Sequence, residues 1–135
     1  MPFIHLMTTR SYFPPETAAL DDKRQRGVIN LLEDLPETIL NHAQIDLGDT
    51  PLEGIQVTYG MFPPRSINVP NLGFYILFTE PKPGDEAAAH ITRTLVEIIE
   101  EGIKVFVPGD PRVAMDVFWG NSHGFLRFGA VQTKW

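Results

Sequence analysis

Apolar residues recur along the chain with two different spacings, which predict strands in some segments and helices in others. Segments 2–7, 55–61, 74–79 and 113–119 are short, rich in β-branched and aromatic residues, and in part alternate with period two, as strands do. Two longer segments place apolar residues three and four positions apart, as amphipathic helices do. Their stripes are Val28, Leu31, Leu32 and Leu35, and then Ala87, Ile91, Leu95, Ile98 and Ile99.

Prolines and glycines predict where these elements end. The first helix is expected to begin near Leu20 or Asp21 and to end or kink at Pro36, with a second short helix over 37–42. Gly102 is expected to stop the second long helix, which begins near Glu86. The glycine- and aromatic-rich tail after residue 119 is expected to add a short hairpin or a contact between subunits.

The order strand–helix–strand, given twice, predicts an α+β fold of tandem βαβ units in one domain over residues 1–135. We expect a four-stranded mixed sheet with both helices on one face. A ferredoxin-like α+β barrel that binds a small molecule fits the same order. The opposite face would also be apolar, since Ala114 and Phe118 alternate with Val113, Met115 and Val117. Such a face must be covered, and three copies around an axis would cover it.

Charge and composition exclude several functional classes. Lysine and arginine total 11 against 17 acidic residues, a net charge of −6, which disfavours non-specific binding to nucleic acid. The chain has no cysteine, and its four histidines show no pairing at a metal-ligand spacing, so we predict no metal site. No apolar run is long enough to span a membrane, and the first residues do not resemble a signal peptide. We therefore expect a cytoplasmic protein.

Three short motifs at corresponding positions are similar to the tautomerase superfamily. This superfamily includes macrophage migration inhibitory factor, 5-carboxymethyl-2-hydroxymuconate isomerase and 4-oxalocrotonate tautomerase. Met-Pro-Phe-Ile at 1–4 and the stretch 4–11 resemble the first strand and loop of oxalocrotonate tautomerases. Pro-Leu-Glu-Gly-Ile at 51–55 resembles the muconate isomerases. Asp-Pro-Arg-Val at 110–113 and Trp-Gly-Asn-Ser at 119–122 resemble the migration inhibitory factors. The resemblance implies the βαβ–βαβ fold, a homotrimer, no cofactor and a catalytic amino-terminal proline.

Pro2 is the residue that the resemblance identifies as catalytic. Removal of Met1 would free its nitrogen as a secondary amine, and the pKa of a free α-amine is near ~8. Burial beside Phe3 and Ile4 would lower that pKa, so that the neutral amine acts as a general base in keto–enol chemistry. The alternative is that Pro2 only begins an edge strand, where its missing N–H group has no consequence.

Substrates of this superfamily bear carboxylates, so cationic residues are the expected partners. Arg10 follows the first strand, while Arg65 and Lys82 lie in the connections that border the central strands. An arginine can hold a carboxylate with two hydrogen bonds. The alternative for each of the three, and the commoner role of such residues, is an ordinary solvated surface charge. Asp116 stands where the migration inhibitory factors have a site asparagine, and Trp119 is expected to line an apolar pocket around Pro2.

Other positions depart from the pattern of the superfamily. Ala114 replaces a site tyrosine of the migration inhibitory factors, their lysine before the second strand is absent, and 80–83 lacks the arginine pair of the related dehalogenases. Two functions therefore stay open. One is a cofactor-free tautomerase that isomerises a 2-keto/enol carboxylic acid at sites between subunits. The other is a catalytically inactive protein of the same fold with a structural or small-ligand-binding role.

Overall fold

The structure is a computed structural model, and it describes residues 2–14, 22–42, 54–121 and 124–134, with the backbone alone for 121 and 124–134. Two α-helices and five strands lie in these ranges, together with a 3₁₀ turn at Arg10–Tyr12. In chain order the elements are β1 (Pro2–Thr8), α1 (Lys23–Asn41), β2 (Gln56–Met61), β3 (Leu72–Phe78), α2 (Asp85–Phe106), β4 (Val113–Asn121) and β5 (Gly124–Lys134).

The strands form one mixed sheet in the order β2-β1-β3-β4-β5. β1 pairs in parallel with β2, β3 pairs in parallel with β4, and the two pairs meet where β1 runs antiparallel to β3. Two βαβ units therefore lie side by side, which confirms the predicted α+β fold with a mixed sheet and two helices. The tail is more regular than the short hairpin we expected, because β5 extends the sheet along the edge of β4.

The helices cover one face of the sheet. In β1, β3 and β4 every second residue lies on that face and is buried, including Ile4 and Leu6 of β1 and Phe74 and Ile76 of β3. The predicted alternation in β4 is confirmed, since its inward residues Val113, Met115, Val117 and Trp119 are all 2% exposed or less. Residues of the other face, among them Phe3, Tyr75, Leu77 and Phe118, are half-buried. We call this second surface the open face.

The first helix differs from the prediction at Pro36. α1 continues through this proline to Asn41 as one helix, so the expected break with a separate helix over 37–42 was wrong. Leu35 and Ile39, on either side of the proline, are each 1% exposed, and their burial against the core offsets the loss of one backbone hydrogen bond. The helix begins at Lys23, where Asp22 accepts a hydrogen bond from the Gln25 amide at 3.2 Å. Leu20 and Asp21 lie outside the described residues.

The second helix also continues past its predicted end. α2 runs to Phe106, so Gly102 lies inside the helix and the expected stop was wrong. A Cβ atom at Gly102 would lie 2.5 Å from Cδ1 of Leu31 in α1. The glycine therefore allows the two helices to approach closely, and Ile103 beyond it is buried in the core. Across the described ranges, neither helix has the length and apolar character needed to cross a membrane.

Candidate functional site

Pro2 lies at one end of the sheet, on the side that the helices cover. It is the first residue of β1, is buried, and pairs across the sheet with Phe78 of β3. Phe78 in turn stacks on Trp119 of β4, with ring centroids 5.4 Å apart and ring planes at 13°. Pro2 is thus next to an aromatic pair that excludes water. Trp119 is only 2% exposed and belongs to the hydrophobic core.

Lys82 lies at the same end as Pro2, in the connection between β3 and α2. Its ammonium group donates a hydrogen bond to the Asp85 carboxylate at the start of α2. This hydrogen bond and the charge of Lys82 lower the pKa of Asp85 below its ordinary value. Glu80 joins this connection to the end of β4, since its carbonyl accepts from the Gly120 amide at 3.2 Å. The lysine is therefore held close to the sheet end where β1 begins.

Arg10 lies at the opposite end of β1. It borders a surface groove of about 1160 Å³ whose other cationic residues are Lys23 and Arg24 at the start of α1. The Arg24 guanidinium lies over the ring of Tyr12, 5.6 Å from its centroid. Asp22 contributes a carboxylate to the same groove, so among the described residues that line it cations outnumber anions by three to one. Such a surface favours an anionic group.

Arg65 lies in the loop between β2 and β3, at the same end of the sheet as Arg10. Its neighbours Pro64 and Ser66 line a smaller cavity of about 470 Å³, and Arg10 borders this cavity as well. Asn71 holds the surrounding loops together. Its carbonyl accepts from the Thr9 amide at 3.0 Å, and its side-chain oxygen accepts from the Arg112 amide at 2.8 Å.

Asp116 lies in the middle of β4 on the open face, opposite the face on which Pro2 is buried. The strand register aligns it with Tyr75 of β3, and Tyr75 with His5 of β1. All three are half-buried. The result is a row of hydrogen-bonding side chains across a surface that is otherwise mostly apolar.

The predicted site residues therefore separate into three places. Pro2, Lys82 and Trp119 lie at one end of the sheet, Arg10 and Arg65 lie at the other, and Asp116 lies on the open face. β1 has seven residues, from Pro2 to Thr8, so Pro2 is roughly 20 Å, at about 3.3 Å per residue, from the end of the strand that Arg10 follows. A small substrate at Pro2 could meet Arg10 or Arg65 only if these came from another copy of the chain.

Comparison of the sequence with models of known protein families and with curated proteins gave no match. Any function assigned to the chain therefore depends on the geometry of the described residues. Among these residues no group of three or more histidine, aspartate and glutamate side chains is placed to hold a metal ion. Met1, the motif residues 51–53, and Ser122 lie outside the described ranges.

Two cationic residues of the large groove are absent from the sequence-based prediction. In the sequence, Lys23 and Arg24 indicate only the favourable charge pattern of a helix. The structure places them beside Arg10, at the border of the same groove. The available signal was the pair of bases directly after the capping residue Asp22, close in sequence to Arg10.

Proposed function

We propose that this protein is a small cofactor-free tautomerase of the tautomerase superfamily, acting on a 2-keto/enol carboxylic acid. The observation that most supports this is the burial of Pro2 at the start of β1, next to the stacked rings of Phe78 and Trp119. The arrangement of two βαβ units around an antiparallel β1–β3 pair is compatible with the fold of that superfamily.

In this proposal Pro2 is a proton carrier. After removal of Met1 its nitrogen is a secondary amine, and burial lowers the pKa of such an amine. The neutral amine takes the proton from the enol hydroxyl of the substrate, and the electron pair moves to form the carbonyl. The ammonium form then gives the proton to the neighbouring carbon, which restores the amine. No electrons leave the substrate, so no redox cofactor is needed.

The substrate carboxylate needs a cation near Pro2. Lys82 is at the same end of the sheet in the same chain, while Arg10 and Arg65 would have to come from a second copy. A homotrimer is the assembly that we propose, because Phe3, Leu77 and Phe118 leave an apolar surface on the open face. Asp116, on that same face, would then lie at or near a contact between copies. A cytoplasmic location and the absence of nucleic-acid partners stay predictions.

The first experiment is the intact mass of the protein as isolated, followed by assays of keto–enol tautomerisation. The substrates are phenylenolpyruvate and 2-hydroxymuconate, and the assays use protein shown to lack Met1. We expect Pro2→Ala to lower kcat/KM by roughly 10²–10⁴-fold, the usual contribution of a general base. The control is Val105→Ala, an exposed residue near the end of α2 that is not among the candidate binding residues, and it should leave kcat/KM unchanged. Equal activity in Pro2→Ala and wild type would overturn the proposal.

The second candidate function is a protein of this fold that binds a small anion without catalysis. The specific observation that favours it is the groove of Arg10, Lys23 and Arg24, which lies far from Pro2. This function predicts that a small dicarboxylate binds equally well whether or not Met1 is present, and that Arg24→Gln weakens binding. Isothermal titration with both forms of the protein separates the two functions.

A further inference from the structure

A histidine and a methionine on the open face direct their donor atoms toward each other. His5 and Met7 are two positions apart in β1, so their side chains lie on the same face of the sheet. Nε2 of His5 is 3.0 Å from Sδ of Met7. Both residues are half-buried, which partly removes these atoms from water.

The other ring nitrogen of His5 already has a partner. Nδ1 is 2.7 Å from Oγ1 of Thr58 in the neighbouring strand β2. With the proton on Nε2, the imidazole donates a hydrogen bond to Sδ of Met7 and accepts one from Thr58. With the proton on Nδ1, the imidazole donates to Thr58 instead, and Nε2 keeps its lone pair. A cation at Nε2 would replace the proton of the first form and select the second. This is the usual arrangement of a metal-binding histidine, in which a hydrogen bond from the second nitrogen fixes the ring. Nε2 and Sδ are then two lone-pair donors in contact, an arrangement that a cation would stabilise.

The neighbouring strand leaves space beside both donor atoms. Gly60 of β2 is the register partner of Met7. A Cβ atom at Gly60 would lie 3.5 Å from Sδ of Met7 and 3.8 Å from Nε2 of His5, so the missing side chain opens a gap next to both. β2 is the outer strand of the sheet formed by the described residues, and Gly60 is half-buried, so the gap lies at the margin of the open face. Met7 has a flexible side chain, so its sulfur can move to a ligand distance when an ion enters.

We propose that His5 and Met7 bind one soft monovalent cation, Cu(I), through Nε2 and Sδ. A thioether sulfur selects Cu(I) over hard cations such as Mg²⁺ and Ca²⁺, which prefer oxygen ligands. This site revises the expectation of no metal site, which considered histidine pairs on helices. The relevant spacing is instead i, i+2 on a strand. The proposal does not rest on the tautomerase function, because it needs neither a free Pro2 amine nor a second copy of the chain.

The test is an anaerobic competition between the full-length protein and a chromophoric Cu(I) chelator. We expect wild type to bind one Cu(I) per chain in this assay, and Met7→Leu and His5→Gln each to weaken binding at least tenfold. Met7→Leu removes the sulfur at nearly constant volume, which preserves packing. The controls are Met61→Leu and His90→Gln, an exposed methionine and an exposed histidine elsewhere, and both should bind as wild type does.

A second measurement needs no variant. Ag(I), a redox-inert probe of the same class, should shift the NMR signals of the Met7 methyl group and the His5 ring together at one equivalent. Failure of wild type to take Cu(I) from the chelator would overturn the proposal. So would a Met7→Leu protein with unchanged affinity, or an Ag(I) titration that shifts Met61 before Met7.

Discussion

Gly27 of α1 lies directly against the main chain of Phe106 at the end of α2. A Cβ atom at Gly27 would overlap the carbonyl oxygen of Phe106 and lie 3.1 Å from its carbonyl carbon. Gly27 itself is buried, and Val28 beside it is fully enclosed in the core. The distance between the two helices is therefore set at this point by the absence of a side chain.

Replacement of Gly27 with alanine should destabilise the protein. The helix would gain about 1 kcal/mol from propensity, but the added methyl group meets backbone atoms that cannot rotate away. Overpacking of this kind costs typically about 1–3 kcal/mol. We expect a net loss of unfolding free energy, measured by urea denaturation followed by circular dichroism.

Gly102→Ala is the matched control, because it also adds a methyl group inside a helix at the same interface. Its new Cβ meets only Cδ1 of Leu31, the end of a flexible side chain that can adopt another rotamer. The loss of stability should therefore be smaller than for Gly27→Ala, or absent. If Gly102→Ala were instead the less stable of the two variants, the contact of Gly27 with the Phe106 backbone would not be what limits the distance between the helices.

These two glycines also show what the sequence could and could not predict about the fold. Apolar spacing was sufficient to place both helices and four of the strands, because burial of one face requires that spacing. It could not predict that α2 continues through Gly102 or that α1 continues through Pro36. In both places tertiary packing overrides a local signal for a helix end. At Gly102 the helix packs closely against Leu31 of α1, and at Pro36 the neighbouring Leu35 and Ile39 are buried in the core.

A buried hydroxyl at the end of β1 offers a second test of the packing. Thr8 is 0% exposed, and no group in the described part of the chain forms a hydrogen bond with its Oγ1. Thr8→Val removes this polar atom at nearly the same volume, so we expect a gain of about 1 kcal/mol in unfolding free energy. The control is Thr92→Val in α2, where the buried Oγ1 donates to the Ala88 carbonyl at 2.8 Å. That variant should gain less or lose stability, and the opposite order in thermal melts would refute the expectation.

The pair of Lys82 and Asp85 predicts a pH effect with a defined sign. Lys82 lowers the pKa of Asp85 from the ordinary 3.8, so the charged carboxylate is favoured in the folded protein. The resulting stabilisation is complete above that ordinary value and is lost as the pH falls through the lowered pKa. Because Asp85 is exposed, the effect on unfolding is small, and the pKa itself is the better measurement.

Lys82→Gln should raise the pKa of Asp85 toward 3.8, as followed by NMR titration of the carboxyl carbon. Lys104→Gln changes an exposed lysine at the far end of the same helix and should leave this pKa where it is. A pKa of Asp85 that is equally low in the Lys82→Gln protein would show that another group lowers it.

The candidate site was less predictable than the fold, for a physical reason. Pro2 and Arg10 are close in sequence. They are far apart in the fold because the extended strand between them covers nearly the greatest distance that a chain of that length can span. Residues that meet in the fold come from distant segments instead. Pro2 contacts the strand that ends at Phe78, and Arg10 shares its groove with Lys23 and Arg24. Strand direction and register decide these neighbours, and residue type does not reveal them.

The separation of Pro2 and Arg10 leads to a test of the proposed assembly. If each active site combines Pro2 of one chain with Arg10 of another, then Pro2→Ala and Arg10→Gln inactivate different parts of every site. A mixture of the two variants, unfolded and refolded together, forms trimers that contain both chains. About a quarter of the sites would then have both native residues when the chains assort at random. Tautomerase activity should thus return in the mixture, although each variant alone is impaired.

Two controls make the mixing experiment decisive. The variants mixed after separate refolding should show no recovery, because folded subunits have not exchanged. A chain with both substitutions can also be refolded with an equal amount of wild type. By the same random assortment, this mixture should have about a quarter of the activity of wild type at the same total concentration. Absence of recovery in the co-refolded mixture, with trimers present by sedimentation, would mean that Pro2 and Arg10 do not meet across subunits. The carboxylate would then have to be bound by Lys82 of the same chain or by Arg65 of a second copy, and Lys82→Gln and Arg65→Gln in the same kinetic assay separate these two.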